Sequence, residues 1–146
     1  RAMERLDYRA ISAEGFGILG TLSKYVRDSG LEGSLVELIK LRASQINGCA
    51  NCVDLHANTL RKLGESETRL QNLVVWWESP EFSEREKAAL AWCEAVTLVS
   101  KSRVPDEVFE RANAQFTDKE LVDLTLGIII INSHNRLAVA FRRAPG

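Results

Sequence analysis

The chain has 146 residues, 45% of them hydrophobic and 27% charged, with 19 basic against 20 acidic side chains. That length suits a single domain over residues 1–146 whose core needs neither disulfide nor metal, and a net charge of -1 lacks the basic excess of a nucleic-acid binder. The longest apolar run, "LGIIII" at Leu126–Ile131, is far shorter than the roughly 20 residues that span a bilayer, so neither nucleic acid nor membrane is expected as a partner. The opening "RAMERLDYRA" has no apolar segment of the signal-peptide kind. Three cysteines, an odd count, argue against a disulfide framework. A cytoplasmic protein whose thiols stay reduced unless they act is the expectation.

Helical periodicity recurs from end to end and strand-like alternation is nearly absent, which predicts an all-α fold of about six to seven helices. Ser12 is placed to cap a first helix running to about Tyr25–Arg27, and Gly30 breaks it. In the second, "LEGSLVELIKLRASQI", Ser34 and Glu37 have the spacing of a capping box. A third opens near Cys49–Ala50 and stops at Gly64. Ser66 starts a fourth through "RLQNLVVWW", and a turn at Pro80 leads to a second capping box, Ser83 with Glu86, heading "EREKAALAWCEAVTLVS". Pro105 suits the first turn of a sixth helix, and Thr117 with Glu120 caps the last. Ile128 to Ile131 would suit a buried strand. The capped start and the polar "NSHNR" that follows favour a helix buried almost all round, with oligomer contacts as well as core.

The stretch "NGCANCVDLH" holds two of the three cysteines and one of the two histidines. On a helix beginning at the first cysteine, Cys49, Cys52 and His56 share an arc of about 60°. The i, i+4 spacing lets His56 reach the Cys52 sulfur as a base, which makes Cys52 a candidate activated nucleophile. Cys49, in the first turn, gains thiolate character from free backbone N–H groups and the helix dipole. The Cys-X-X-Cys spacing also permits a disulfide.

Two other readings stay open at this point. Buried cysteines are often plain core residues, and Cys49, Cys52 and His56 are also three plausible zinc ligands, with Glu37 the attractive fourth. Glu37 on its own pattern reads as the capping partner of Ser34 and is expected at the surface. Cys93, in "ALAWCEAV", reads as core, and His134 as structural or surface. Trp76 and Trp77 read as core or interface, or as a pocket wall.

Three stretches, "ELIKLRASQINGCANCVDLH", "ESPEFSEREKAALAWCEAV" and "LVDLTLGIIIINSHNRLAVAFR", give the region from about Leu31 to Arg142 a resemblance to the AhpD-like alkylhydroperoxidases, grouped with the carboxymuconolactone decarboxylases. The resemblance implies an AhpD-like helical fold assembled as a homotrimer or homohexamer, and a peroxidase that uses no metal, haem or other cofactor. It assigns Glu37 and His56 to a proton relay, Cys52 to attack on the hydroperoxide and Cys49 to its resolution as a disulfide. A dithiol or lipoyl-type partner then reduces that disulfide. Asn51 stands where the best-known members have a second histidine, and its amide cannot take a proton near neutral pH, so the relay rests on His56 and Glu37. A protein disulfide reductase or redox sensor, and a non-catalytic zinc-bound helical module, are the alternative functions.

Overall fold

The structure, a computed structural model, describes residues 3–145; Arg1, Ala2 and Gly146 of the expected 1–146 domain lie outside the described residues. Those residues form nine α-helices and one 3-10 turn, with no strand among them. They are α1 (Tyr8–Ile11), α2 (Ala13–Arg27), α3 (Gly33–Asn47), α4 (Ala50–Lys62), α5 (Glu67–Asn72), α6 (Glu84–Thr97), α7 (Val99–Ser102), α8 (Asp106–Asn113) and α9 (Asp118–Ala140), with the 3-10 turn Leu73–Val75 after α5. The excess over six to seven comes from α1 and α7, single turns too short for periodicity to reveal. Leu98, at φ -99° and ψ 38°, separates α7 from the end of α6.

The central helix is α3, packed against α4, α6 and α9. Contact on several sides explains why Leu35, Val36, Leu38, Ile39, Leu41 and Ala43 are all buried, leaving no clean amphipathic stripe. One apolar cluster joins α3 to α2, α6, α8 and α9 around Val26, Ile39, Cys93, Leu124 and Ile128. A second joins it to α4 and α5 around Leu38, Leu60, Leu73 and Trp76. Each fully buried Leu or Ile contributes about 1.5–3 kcal/mol relative to exposure. The four isoleucines are helical, and Ile128, Ile130 and Ile131 are buried while Ile129 points outward at 46% exposed. No helix among the described residues is long and apolar enough to cross a membrane.

Two of the three predicted capping boxes form, Ser83 with Glu86 and Thr117 with Glu120. The third does not. Helix α3 starts two residues early, at Gly33 with Glu32 as its N-cap, so Ser34 falls inside the first turn and Glu37 beyond reach of the cap. Ser12 precedes α2 without capping it through its side chain. Glycine ends the helices flanking the cysteine motif. At Gly48, φ is +69°, and the Gly48 and Cys49 amides donate to the Gln45 and Ser44 carbonyls. Gly64, at φ +92°, closes α4 in the same way through Arg61 and Leu60. These are Schellman-type stops, and the first sends the chain straight from α3 into α4.

Candidate active site

Because α3 ends at Gly48, Cys49 becomes the N-cap of α4, in an extended conformation, and its sulfur accepts the Cys52 amide at 3.2 Å. A disulfide joins Cys49 to Cys52, with Cα atoms 5.2 Å apart. The two sulfurs do not face the same space. Cys52, one turn into the helix, lines a pocket of about 290 Å³ together with His56. Cys49 opens instead on a separate recess beside Arg142 and Arg143. The expectation of one common face therefore holds for Cys52 and His56 and fails for Cys49, whose N-cap dihedrals lie outside the helical wheel.

Glu37 is a second departure from the sequence pattern. It is half-buried, and its Oε2 lies 2.6 Å from His56 Nδ1 on the neighbouring helix, both side chains less than a fifth exposed. An ionised carboxylate only accepts, so Nδ1 carries the proton and the free ring nitrogen is Nε2. Burial raises the Glu37 pKa, but the hydrogen bond and charge of His56, with the nearby Lys40 ammonium, outweigh it and hold the carboxyl below its ordinary 4.5. Its wheel neighbours Lys40 and Ser44 are themselves buried, at 8% and 0% exposed.

His134 and Lys40 also line the Cys52 pocket, as do Asn51 and, at its edge, Arg9. Phe16 and Ile131 supply apolar wall, and the Phe16 ring meets His134 edge-on with centroids 5.6 Å apart. Burial, followed by the charges of Lys40, His56 and Arg9, lowers the His134 pKa below 6.5 and favours its neutral form. The sequence held one signal for this, the polar "NSHNR" interrupting an apolar helix. Its two asparagines clamp the end of α3. Asn47 Nδ2 donates to Asn132 and Asn135 at 3.0 and 2.9 Å, and Asn135 Nδ2 donates to Ser44 Oγ at 3.0 Å.

Other residues singled out by sequence lie elsewhere. Cys93 is fully buried, donates to the Ile39 carbonyl at 3.3 Å, and has its pKa pushed up to about 12 by burial. Trp76 is core, with its indole N–H donating to Glu94 at 2.5 Å, and Trp77 is 53% exposed; neither lines the Cys52 pocket. Among the described residues no group of three or more His, Cys, Asp and Glu side chains is disposed to hold a metal ion. The arrangement can carry sulfur redox chemistry: a thiol pair able to form a disulfide, with a carboxylate-oriented imidazole beside one member.

The Carboxymuconolactone decarboxylase family profile matches residues 13–95. The chain is 42% identical over 137 residues to the uncharacterised Bacillus subtilis protein YdfG, covering 94% of this chain and 93% of that one. Over 49 residues, 34% of this chain and 28% of the other, it is 41% identical to the alkyl hydroperoxide reductase AhpD of Coxiella burnetii. A crystal structure from Agrobacterium tumefaciens, of a protein of unknown function suggested to be an antioxidant defence protein AhpD, superposes with a TM-score of 0.96 at 44% identity, covering 99% of both chains. The fold is thus AhpD-like.

Proposed function

Since the chain belongs to the carboxymuconolactone decarboxylase family, in its AhpD-like part, we propose that it is a cytoplasmic thiol-dependent peroxidase that reduces organic hydroperoxides through Cys49 and Cys52. The observation that carries this reading is the Glu37–His56 contact of 2.6 Å, which orients an imidazole in the pocket that Cys52 lines. A base held by a carboxylate at Nδ1 has Nε2 available for a thiol proton.

In the proposed cycle His56 takes the Cys52 proton and the thiolate attacks the terminal peroxide oxygen. The O–O bond breaks, the alkoxide leaves and is protonated to the alcohol, and Cys52 becomes a sulfenic acid. Cys49 thiolate then attacks that sulfur, forming the disulfide and releasing the oxygen as water. A dithiol or lipoyl-type reductant restores both thiols by two exchange steps and leaves as its own disulfide. Sulfur supplies both electrons, so no metal, haem or other cofactor enters. Asn51 lines the pocket, and its amide cannot join the relay as a base.

Enclosure supports a small peroxide and a slender dithiol over a folded protein disulfide, because Cys49 and Cys52 are only 2% and 4% exposed. The family name also covers decarboxylases, but removing carbon dioxide from a lactone gives the cysteine pair no role. A homotrimer or homohexamer of single-domain chains belongs to the same proposal, supported by the apolar side chains left outside, Trp77, Val122 and Ile129 among them. The test is consumption of cumene hydroperoxide by the protein with a dithiol present. Turnover that stops in Cys52→Ser supports the proposal; equal consumption by that variant refutes the assigned roles.

A further inference from the structure

Six polar or charged side chains are buried among the described residues. Five have partners: Ser44, Ser79, Thr97, Asp123 and Asn135 each take part in at least one hydrogen bond. Lys40 is the sixth. It is 8% exposed, and its ammonium makes no hydrogen bond or ion pair within the described residues. Glu37, one turn earlier on α3, has its near oxygen on His56 and leaves Lys40 beyond ion-pair distance. What Lys40 does face is the Cys52 pocket, which Arg9 also lines and to which no described aspartate or glutamate contributes.

The Lys40 side chain is enclosed by protein while its ammonium, with no protein counter-ion, opens on the pocket, an arrangement that suits a site completed by an anion. Burial and the charge of Arg27 press Lys40 towards its neutral form and only Glu37 opposes them, so an incoming anion would relieve a real imbalance. His134, across the same pocket, feels the charges of Lys40, His56 and Arg9. A pocket of about 290 Å³ suits a small ligand.

We propose that Lys40, with Arg9 at the mouth, is a carboxylate subsite in the Cys52 pocket, and that the hydroperoxide reduced here carries that carboxylate. The second half rests on the peroxidase reading and the first does not. Calorimetric titration of the oxidised protein with benzoate and, separately, with its neutral counterpart benzamide tests the subsite without any turnover. Benzoate should bind at least about tenfold tighter, as expected for a hydrogen bond to a charged group. The preference should vanish in Lys40→Met and return in Lys40→Arg. Equal binding of benzoate and benzamide by the unsubstituted protein overturns the subsite, whatever the variants do.

The two readings fail separately. Benzoate preference without peroxide turnover upholds the subsite while removing the peroxidase. Turnover with equal kcat/KM for cumene hydroperoxide and its para-carboxylate analogue upholds the peroxidase and overturns the subsite as substrate-selective. If Lys40→Met instead raised the Cys52 thiol pKa and left benzoate binding unchanged, the ammonium would be the counter-ion of the thiolate, and the proposal would be wrong.

Discussion

Cys52 and Cys93 are both buried helical cysteines, at 4% and 0% exposed, but their surroundings differ in kind. Cys93 sits in the middle of α6 with only a backbone carbonyl and the Thr97 hydroxyl for polar company, and burial pushes its thiol up to about 12. Cys52 lies in the first turn of α4, its N–H donating to the Cys49 sulfur, in a pocket shared with two histidines and a lysine. Burial alone therefore does not decide what surrounds a cysteine sulfur. What separates the two is helix position and the company of groups that can take a proton or balance a charge.

The sharpest way to break that contrast is to exchange the two sulfurs' fates by mutation. Cys52→Ser should lower hydroperoxide turnover by about 10³-fold or more, whereas Cys93→Ala should change it by less than about twofold, because a thiol titrating near 12 contributes no nucleophile at neutral pH. Initial rates with a dithiol reductant measure both. Comparable losses in the two variants would erase the distinction. Next in size is His56→Gln, which keeps a hydrogen bond to Glu37 but removes the base and should cost about 10²–10⁴-fold in turnover.

The clamp that holds the turn between α3 and α4 is the next test. Asn135 is fully buried and bonded to both Asn47 and Ser44, so Asn135→Ala removes one hydrogen bond from each and should cost about 1–3 kcal/mol by denaturant unfolding. The smallest effect is acid dependence. Glu37 is held below its ordinary 4.5 in the folded protein. Its pairing with His56 thus adds stability above about pH 4.5 that is lost as pH falls through the lowered folded value. His134, lowered from 6.5, likewise loses stability as pH falls below 6.5. A Glu37→Gln variant should show a shallower fall of Tm below pH 4.5 than the unsubstituted protein.

Local chemistry was legible in the sequence wherever one segment decides the outcome. The boxes at Ser83 and Thr117, the stop at Gly64, and the helix start at Cys49 all depend on neighbours within a few residues. Ser34 and Glu37 show where that reading ends, since the same pattern produced no cap once α3 began at Gly33. The partner of Glu37 is 19 residues away on another helix. Lys40 and His134 entered the pocket by the packing of α3 against α9, which no periodicity reports. Trp76 was readable as core, but its Glu94 partner depends on how the loop after α5 folds back on α6.

Cysteine mapping after a single oxidation tests the contrast between the two thiols most directly. The fully reduced protein is mixed with one equivalent of an organic hydroperoxide, alkylated under denaturing conditions and digested for mass spectrometry. The prediction is a Cys49–Cys52 disulfide with Cys93 recovered as the alkylated thiol. Recovery of all three cysteines as alkylated thiols, or oxidation at Cys93 with the Cys49–Cys52 pair intact, would contradict it.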